Sequence, residues 1–152
     1  MTTANNTART ALALIVTATM AWSTAAGAGD TPRPEGARAY IISPSHGDTV
    51  PETFVVRFGL KGMGVAPAGC DMPGTGHHHL LVDHKELPPP GKPMGGDIQH
   101  FGKGQTQTTL TLAPGEHTLL LILGDKDHIP HSPPVMSEQI RVTVEGSEAS
   151  DG

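Results

Sequence analysis

The stretch TFVVRFGL, residues 53–60, decides the fold class, because its side chains alternate with the two-residue period of a β-strand. Val55 and Arg57 point to one side of this segment. The other side carries four apolar residues, Phe54, Val56, Phe58 and Leu60. The pattern predicts a strand with one face packed against a core.

Similar short runs lie on both sides of this stretch, separated by glycine and proline. The segment HTLLLIL, residues 117–123, is apolar on both faces and predicts a central strand. No long helical period interrupts the series. Turn signals recur about every 8–12 residues, which is typical of an all-β, immunoglobulin-like antiparallel β-sandwich of 6–8 short strands. The other predicted strands are residues 39–43, 77–83, 97–101, 107–112 and 138–144.

The first 28 residues are predicted to be a signal peptide. A polar start is followed by an apolar run, residues 11–22, that is too short for a stable transmembrane helix, and then by the A-x-A site at 26–28. We expect cleavage before Gly29 and a periplasmic or secreted product, with an uncleaved anchor as the alternative. The expected organisation is a signal peptide (1–28), a flexible lead-in (29–38), a β-sandwich domain (39–145) and a disordered tail (146–152).

The charge of the exported part excludes two classes of partner. After cleavage it holds 15 acidic residues against 9 Lys and Arg, a formal net charge of −6. A surface of that sign attracts neither nucleic acid nor an anionic membrane. No later segment is apolar enough to span a bilayer, so we expect no membrane span after cleavage. The single cysteine, Cys70, has no partner for an internal disulfide.

All nine histidines lie in the exported part, and the predicted topology sorts them. In an immunoglobulin-like sandwich, the loop before the third strand, the added strand and the loop before the last strand meet at one pole. The five histidines expected at this pole, which we predict to be metal ligands, are His77, His79, His100, His128 and His131. Two of them, His77 and His79, project from the same strand face, roughly 6–7 Å apart along the chain.

Sulfur donors accompany these histidines on the same loops. Imidazole suits copper, zinc, nickel and iron, whereas thioether and thiolate favour Cu(I). The combination predicts a metal site, with copper as first choice and zinc as second. A histidine-rich surface without metal remains the alternative. The possible soft ligands are Met63, Cys70, Met72 and Met136.

Asp125 either orients an imidazole or caps the turn that carries His128.

His117 and His84 fall at the opposite pole and are excluded from the site. His117 follows the corner LAPGE, where related sandwiches place a tyrosine that bonds the backbone across the turn, so we expect a structural role for it.

No motif of a hydrolase, phosphate loop or zinc protease is present in the sequence, and we predict a protein that is not an enzyme. Two alternatives stay open. One is a non-catalytic module that binds another envelope protein through a pH-sensitive histidine surface. The other is a metal-dependent enzyme with Asp83 or Asp127 as its base.

Three segments carry a family resemblance, GHHH, LxPGxHTL and GDxxHxPHxPP, within residues 42–144. The chain resembles a bacterial family of small exported, histidine-rich proteins that is catalogued only as a domain of unknown function. This resemblance implies export and the domain boundaries, and no activity. The segment SPSHGDTVP, residues 43–51, is more weakly similar to periplasmic copper carriers of β-sandwich fold. Several of those carriers use an N-terminal histidine, whereas cleavage here exposes Gly29.

Overall fold

The computed structural model describes residues 31–146, so the predicted signal peptide lies outside the described residues, as does the predicted tail beyond Gly146. Between residues 31 and 146 the chain forms strands and turns, with no helix. None of the described segments is therefore a helix of membrane-spanning length. The strands are β1 (Arg38–Ser43), β2 (Thr49–Pro51), β3 (Thr53–Lys61), β4 (Gly64–Val65), β5 (Thr75–Val82), β6 (Gln99–His100), β7 (Gln107–Thr111), β8 (Gly115–Gly124) and β9 (Ile140–Glu145).

Two sheets pack face to face. One has the order β1-β3-β7, and the other has the order β2-β9-β8-β5-β4 with β6 added beside β5. Strands β1, β3 and β7 correspond to the A-B-E sheet of immunoglobulin-like sandwiches, and β5, β8 and β9 to the C-F-G sheet. The predicted all-β, immunoglobulin-like sandwich is confirmed.

Two very short strands were missed, and both pair in parallel rather than antiparallel. After the turn at residues 44–48 the chain crosses from the first sheet to the second, where β2 runs parallel to β9. Strand β4 runs parallel to the start of β5. Segments of two or three residues are too short to show a hydrophobic period, which is why the sequence indicated only turns and loops there.

Strand β5 and most of β8 in the large sheet are buried on both faces, which matters for the histidines. The inner face of this sheet meets the small sheet in the main core, where Leu80, Leu121 and Val142 are fully buried. Its outer face is covered by the proline-rich connection between β5 and β6. There a second apolar group forms, which we call the outer cluster: Leu81, Met94, Leu120 and Ile122, with Ile98 and Met136 packed against it.

The described part of the predicted lead-in, residues 31–37, is hydrogen-bonded to the loop between β8 and β9. The amide of Arg33 donates to the carbonyl of Ser132 (3.1 Å), and the amide of Ser132 donates to the carbonyl of Thr31 (2.9 Å). Arg38 already belongs to β1. These bonds hold the loop that carries His128 and His131 against the start of the domain.

Candidate metal centre

Strand β5 supplies two buried imidazoles to the outer face of the large sheet. His77 and His79 are two residues apart, so both side chains leave the same face, and their ring centroids lie 4.7 Å apart. Both residues are at most 1 % exposed. His78 points the other way and packs on Phe58 in the main core, with a centroid distance of 5.2 Å. Both faces of the HHH segment are therefore buried.

The added strand β6 supplies a third imidazole from the exposed side. His100 lies directly opposite His79 in the antiparallel pairing of β5 and β6. Its ring centroid is 5.0 Å from that of His77 and 5.2 Å from that of His79. Because His100 is exposed, this side of the group opens towards solvent.

The fourth imidazole, His128, comes from the β8–β9 loop, and Asp125 shapes the turn that presents it. His128 has a φ of 66°, a left-handed conformation that non-glycine residues rarely adopt. The Asp125 carboxylate accepts hydrogen bonds from the amides of Asp127 (2.9 Å) and Ile129 (3.0 Å) and from the Thr31 hydroxyl (2.6 Å). Of the two roles considered for Asp125, turn capping is the one observed.

The four imidazoles converge on one point. One nitrogen from each of His77, His79, His100 and His128 lies within 4.8 Å of all the others. His77 Nε2 and His128 Nδ1 are only 3.0 Å apart and share one hydrogen bond. Four nitrogens bound to a tetrahedral ion at about 2.0–2.1 Å would be roughly 3.4 Å apart, so a small contraction would complete the site. We call these residues the four-histidine group.

Most of the buried nitrogens in this group have nothing else to bond. Within residues 31–146, His77 Nδ1 and both nitrogens of His79 make no hydrogen bond of regular geometry. A buried, unsatisfied polar atom costs about 1–3 kcal/mol, and native proteins seldom keep several together without a role. A metal ion would give one nitrogen of each ring a partner that the protein does not provide, because an imidazole binds an ion through a single nitrogen.

The surroundings favour the neutral form of His77, His79 and His100, which is the form that binds metal. Burial, followed by the neighbouring rings of His128 and His100, lowers the pKa of His77 to about 4. Burial and the three surrounding histidines lower the pKa of His79 to about 3. Burial and the ring of His128 also lower the pKa of His100. At neutral pH these rings carry free electron pairs rather than positive charge.

Two glycines, Gly124 and Gly102, have no side chain and so leave room for the rings of His79 and His100. A Cβ on Gly124 would lie 2.6 Å from Cε1 of His79, which is closer than real Cβ contacts. A Cβ on Gly102 would overlap the ring of His100. Neither glycine has a positive φ, so lack of space for a side chain, rather than backbone conformation, is what these positions require.

The structure places the fifth predicted histidine outside this group. His131 is 2 % exposed and faces the backbone of Leu123 and Thr75, and within the described chain neither ring nitrogen makes a hydrogen bond of regular geometry. Cys70 is half-buried and unpaired, and it does not belong to the group either.

The proposed methionine ligands are dispersed. Met63 packs against the main core, Met136 packs against the outer cluster, and Met72 is 59 % exposed. The methionine that does lie beside the group is Met94. Sequence reasoning missed it because it sits in a proline-rich connection that has no period.

His117, for which we expected a structural role, has one in the structure. His117 bonds the Asp83 carboxylate through Nδ1 (2.7 Å) and the carbonyl of Ala113 through Nε2 (2.8 Å). The bond to Ala113 crosses the corner, as the prediction required.

The two acids considered as catalytic bases lie elsewhere. Asp83 lies at the far end of β5 from the four-histidine group, and Asp127 is an exposed partner of Lys126 (2.9 Å). Neither acid belongs to the group.

Fold and site define an immunoglobulin-like β-sandwich whose outer face carries a cluster of four histidines able to hold a metal ion. The chain belongs to the family described as a domain of unknown function (DUF4399), whose model matches residues 56–145. That range contains all four histidines. No curated protein matches the chain. Among solved structures, it is similar to fibronectin(III)-like modules of Clostridium thermocellum CbhA, with 12 % identity and a TM-score of 0.41 over 72 % of this chain and 99 % of the module.

Proposed function

We propose that this protein is an exported, non-catalytic metal-binding protein that holds or carries copper in the four-histidine group. The observation that supports the proposal most directly is the convergence of four imidazoles within 4.8 Å, with buried nitrogens that have no other partner among residues 31–146. The signal-like sequence of residues 1–28 supports the exported location.

Copper is the preferred ion because imidazole sites bind Cu(II) more tightly than the other divalent first-row metals. Zinc, which also accepts four nitrogens in tetrahedral geometry, is the second choice. A non-catalytic role fits the donor set, because four protein ligands fill a tetrahedral ion and leave no open position for a substrate. The engagement of Asp83 and Asp127 elsewhere supports the same conclusion.

The pH-sensitive interaction surface is the weaker alternative. Such a switch needs accessible histidines that titrate between pH 5 and 8. His77 and His79 are buried, and their pKa values of about 4 and 3 lie below that range. A partner captured equally well with and without a chelator would nevertheless favour it.

Competition titrations of the purified exported protein with Cu(II) and Zn(II) test the proposal. We expect one ion per chain and much weaker binding after His100→Ala or His128→Ala, two replacements outside the buried core. His84→Ala is the matched control, because His84 lies at the far end of β5 beside Asp97 (3.5 Å). Wild-type affinity no higher than that of an exposed histidine tag, or equal effects of all three variants, would overturn the proposal.

A further inference from the structure

Met94 lies against the four-histidine group although it comes from the connection that covers the outer face. It is 7 % exposed and belongs to the outer cluster. Its amide donates a hydrogen bond to the carbonyl of His128 (2.8 Å). This bond ties the backbone of Met94 to the backbone of one member of the group.

The thioether end of Met94 faces a second member. A Cβ built on Gly124 would lie 2.9 Å from the Met94 methyl carbon, Cε, and 2.6 Å from Cε1 of His79. The methyl group and the imidazole edge therefore both border the space above Gly124. The sulfur is one bond from that methyl, and the flexible methionine side chain turns its sulfur with little cost.

We propose that Met94 supplies a thioether donor that takes the place of one imidazole when the ion in the four-histidine group is Cu(I), so that the centre becomes a mixed imidazole–thioether site that retains Cu(I) as well as Cu(II). This inference rests on the proposed function and goes beyond it by naming a further ligand and the ion that this ligand selects. Thioether sulfur is a soft donor that favours Cu(I), whereas protein zinc sites use thiolate, imidazole and carboxylate ligands.

The other sulfur-bearing residues of the described chain are poorer candidates. Met63 packs into the core between the sheets, and Met72 is largely exposed. Met136 belongs to the edge of the same outer cluster and bridges to Ile122 through its backbone. Because Met136 and Met94 share one apolar environment, Met136 serves as a matched control.

The test compares Met94→Leu with Met136→Leu in the full exported protein. Both changes nearly conserve volume and cost less than about 1.5 kcal/mol of stability, which thermal unfolding checks. Cu(I) affinity is measured by competition with bathocuproine disulfonate, and Zn(II) affinity with a chromophoric chelator. We expect Met94→Leu to weaken Cu(I) binding by about 10–100-fold, the range seen when a residue supporting a metal site is lost. Zn(II) binding should stay within about twofold, and Met136→Leu should match the wild type in both assays.

X-ray absorption at the copper edge provides the second readout. The Cu(I)-loaded wild type should show one sulfur neighbour that disappears in Met94→Leu and persists in Met136→Leu. Equal Cu(I) affinity in all three proteins, or a spectrum without sulfur, would overturn the role of Met94 while leaving the four-histidine site intact. Failure of the wild type to bind any of these ions would overturn the proposed function as well.

Discussion

The two ends of strand β5 use histidine in opposite ways. At the far end, both ring nitrogens of His117 have a partner, the carboxylate of Asp83 and the carbonyl of Ala113. At the near end, His77 and His79 are more deeply buried, yet their ring neighbours are other imidazoles, and among residues 31–146 their ring nitrogens make one hydrogen bond of regular geometry, between His77 and His128. The electrostatic consequence is also opposite. The hydrogen bond to Asp83 raises the pKa of His117, whereas burial lowers the pKa of His77 and His79.

This difference separates a structural histidine from a candidate ligand. A histidine that closes a corner needs acceptors for its N–H groups, and the local chain provides them at the far end. A histidine that binds metal needs a free electron pair, a neutral ring and neighbours of the same kind. The near end of β5 meets those three requirements.

Metal should stabilise the protein strongly, and through the near end alone. An ion present at about 1,000 times its dissociation constant adds about 4 kcal/mol to the free energy of unfolding, which corresponds to on the order of 10 °C or more in Tm. Thermal unfolding with and without Cu(II) should show this rise in the wild type and in His117→Ala, but not in His79→Ala. An equal rise in His79→Ala would place the ion elsewhere.

Acid should destabilise the metal-free protein through the near end. The lowered pKa values of His77 and His79 mean that, between about pH 6.5 and 4, the unfolded chain binds protons that the folded chain does not. Stability is therefore retained above pH 6.5 and lost as the pH falls, by up to about 1.4 kcal/mol per pH unit for each imidazole. Urea unfolding of His77→Gln/His79→Gln should show a shallower dependence on pH. An identical slope in the two proteins would contradict the burial of neutral rings.

Filling the space above Gly124 should disturb the near end and leave the far end unchanged. In Gly124→Ala the new methyl group must displace the ring of His79 or the end of Met94, at a cost of about 1–3 kcal/mol and with weaker metal binding. Gly95→Ala is the control, since no atom beyond its two chain neighbours lies within 4 Å of its Cβ position and its φ is not positive. Denaturant unfolding and metal titration of both variants measure the difference, and indistinguishable behaviour would show that the space is not needed.

The smallest effect is expected at the far end. His117→Ala removes two hydrogen bonds, which together contribute about 1–2 kcal/mol, and should leave metal affinity unchanged. Because the pKa of His117 is raised, its charge-dependent share of stability is fully present below about pH 6.5 and is lost as the pH rises through the folded-state pKa. Unfolding at pH 6 and pH 9 should show the larger loss at pH 6. A loss that grows with pH would contradict the pairing with Asp83.

The sequence predicted the parts of this molecule that repeat a local pattern. The alternation in β3 and the doubly apolar β8 were enough to predict the sandwich, and the two-residue spacing of His77 and His79 was enough to place them on one face. The topology then correctly brought His100 and His128 towards them. Strands β2 and β4 were missed because they are too short to show a period.

The rest of the site depends on paths that no local pattern specifies. His128 and His131 are three residues apart in an irregular loop, so their spacing did not reveal that the first ring turns to the group and the second to the backbone of Leu123 and Thr75. Met94 reaches the group because the proline-rich connection folds over the outer face of the sheet. That contact spans distant parts of the chain, and it required the structure.

X-ray absorption of the protein loaded with one equivalent of Cu(II) tests the central claim most directly. We expect a shell of nitrogen neighbours at about 2.0 Å, with the multiple scattering of three or four imidazole rings, and its loss in His77→Gln/His79→Gln. A shell of water or carboxylate oxygen without imidazole scattering, or the same spectrum in the double variant, would show that these histidines do not hold the ion.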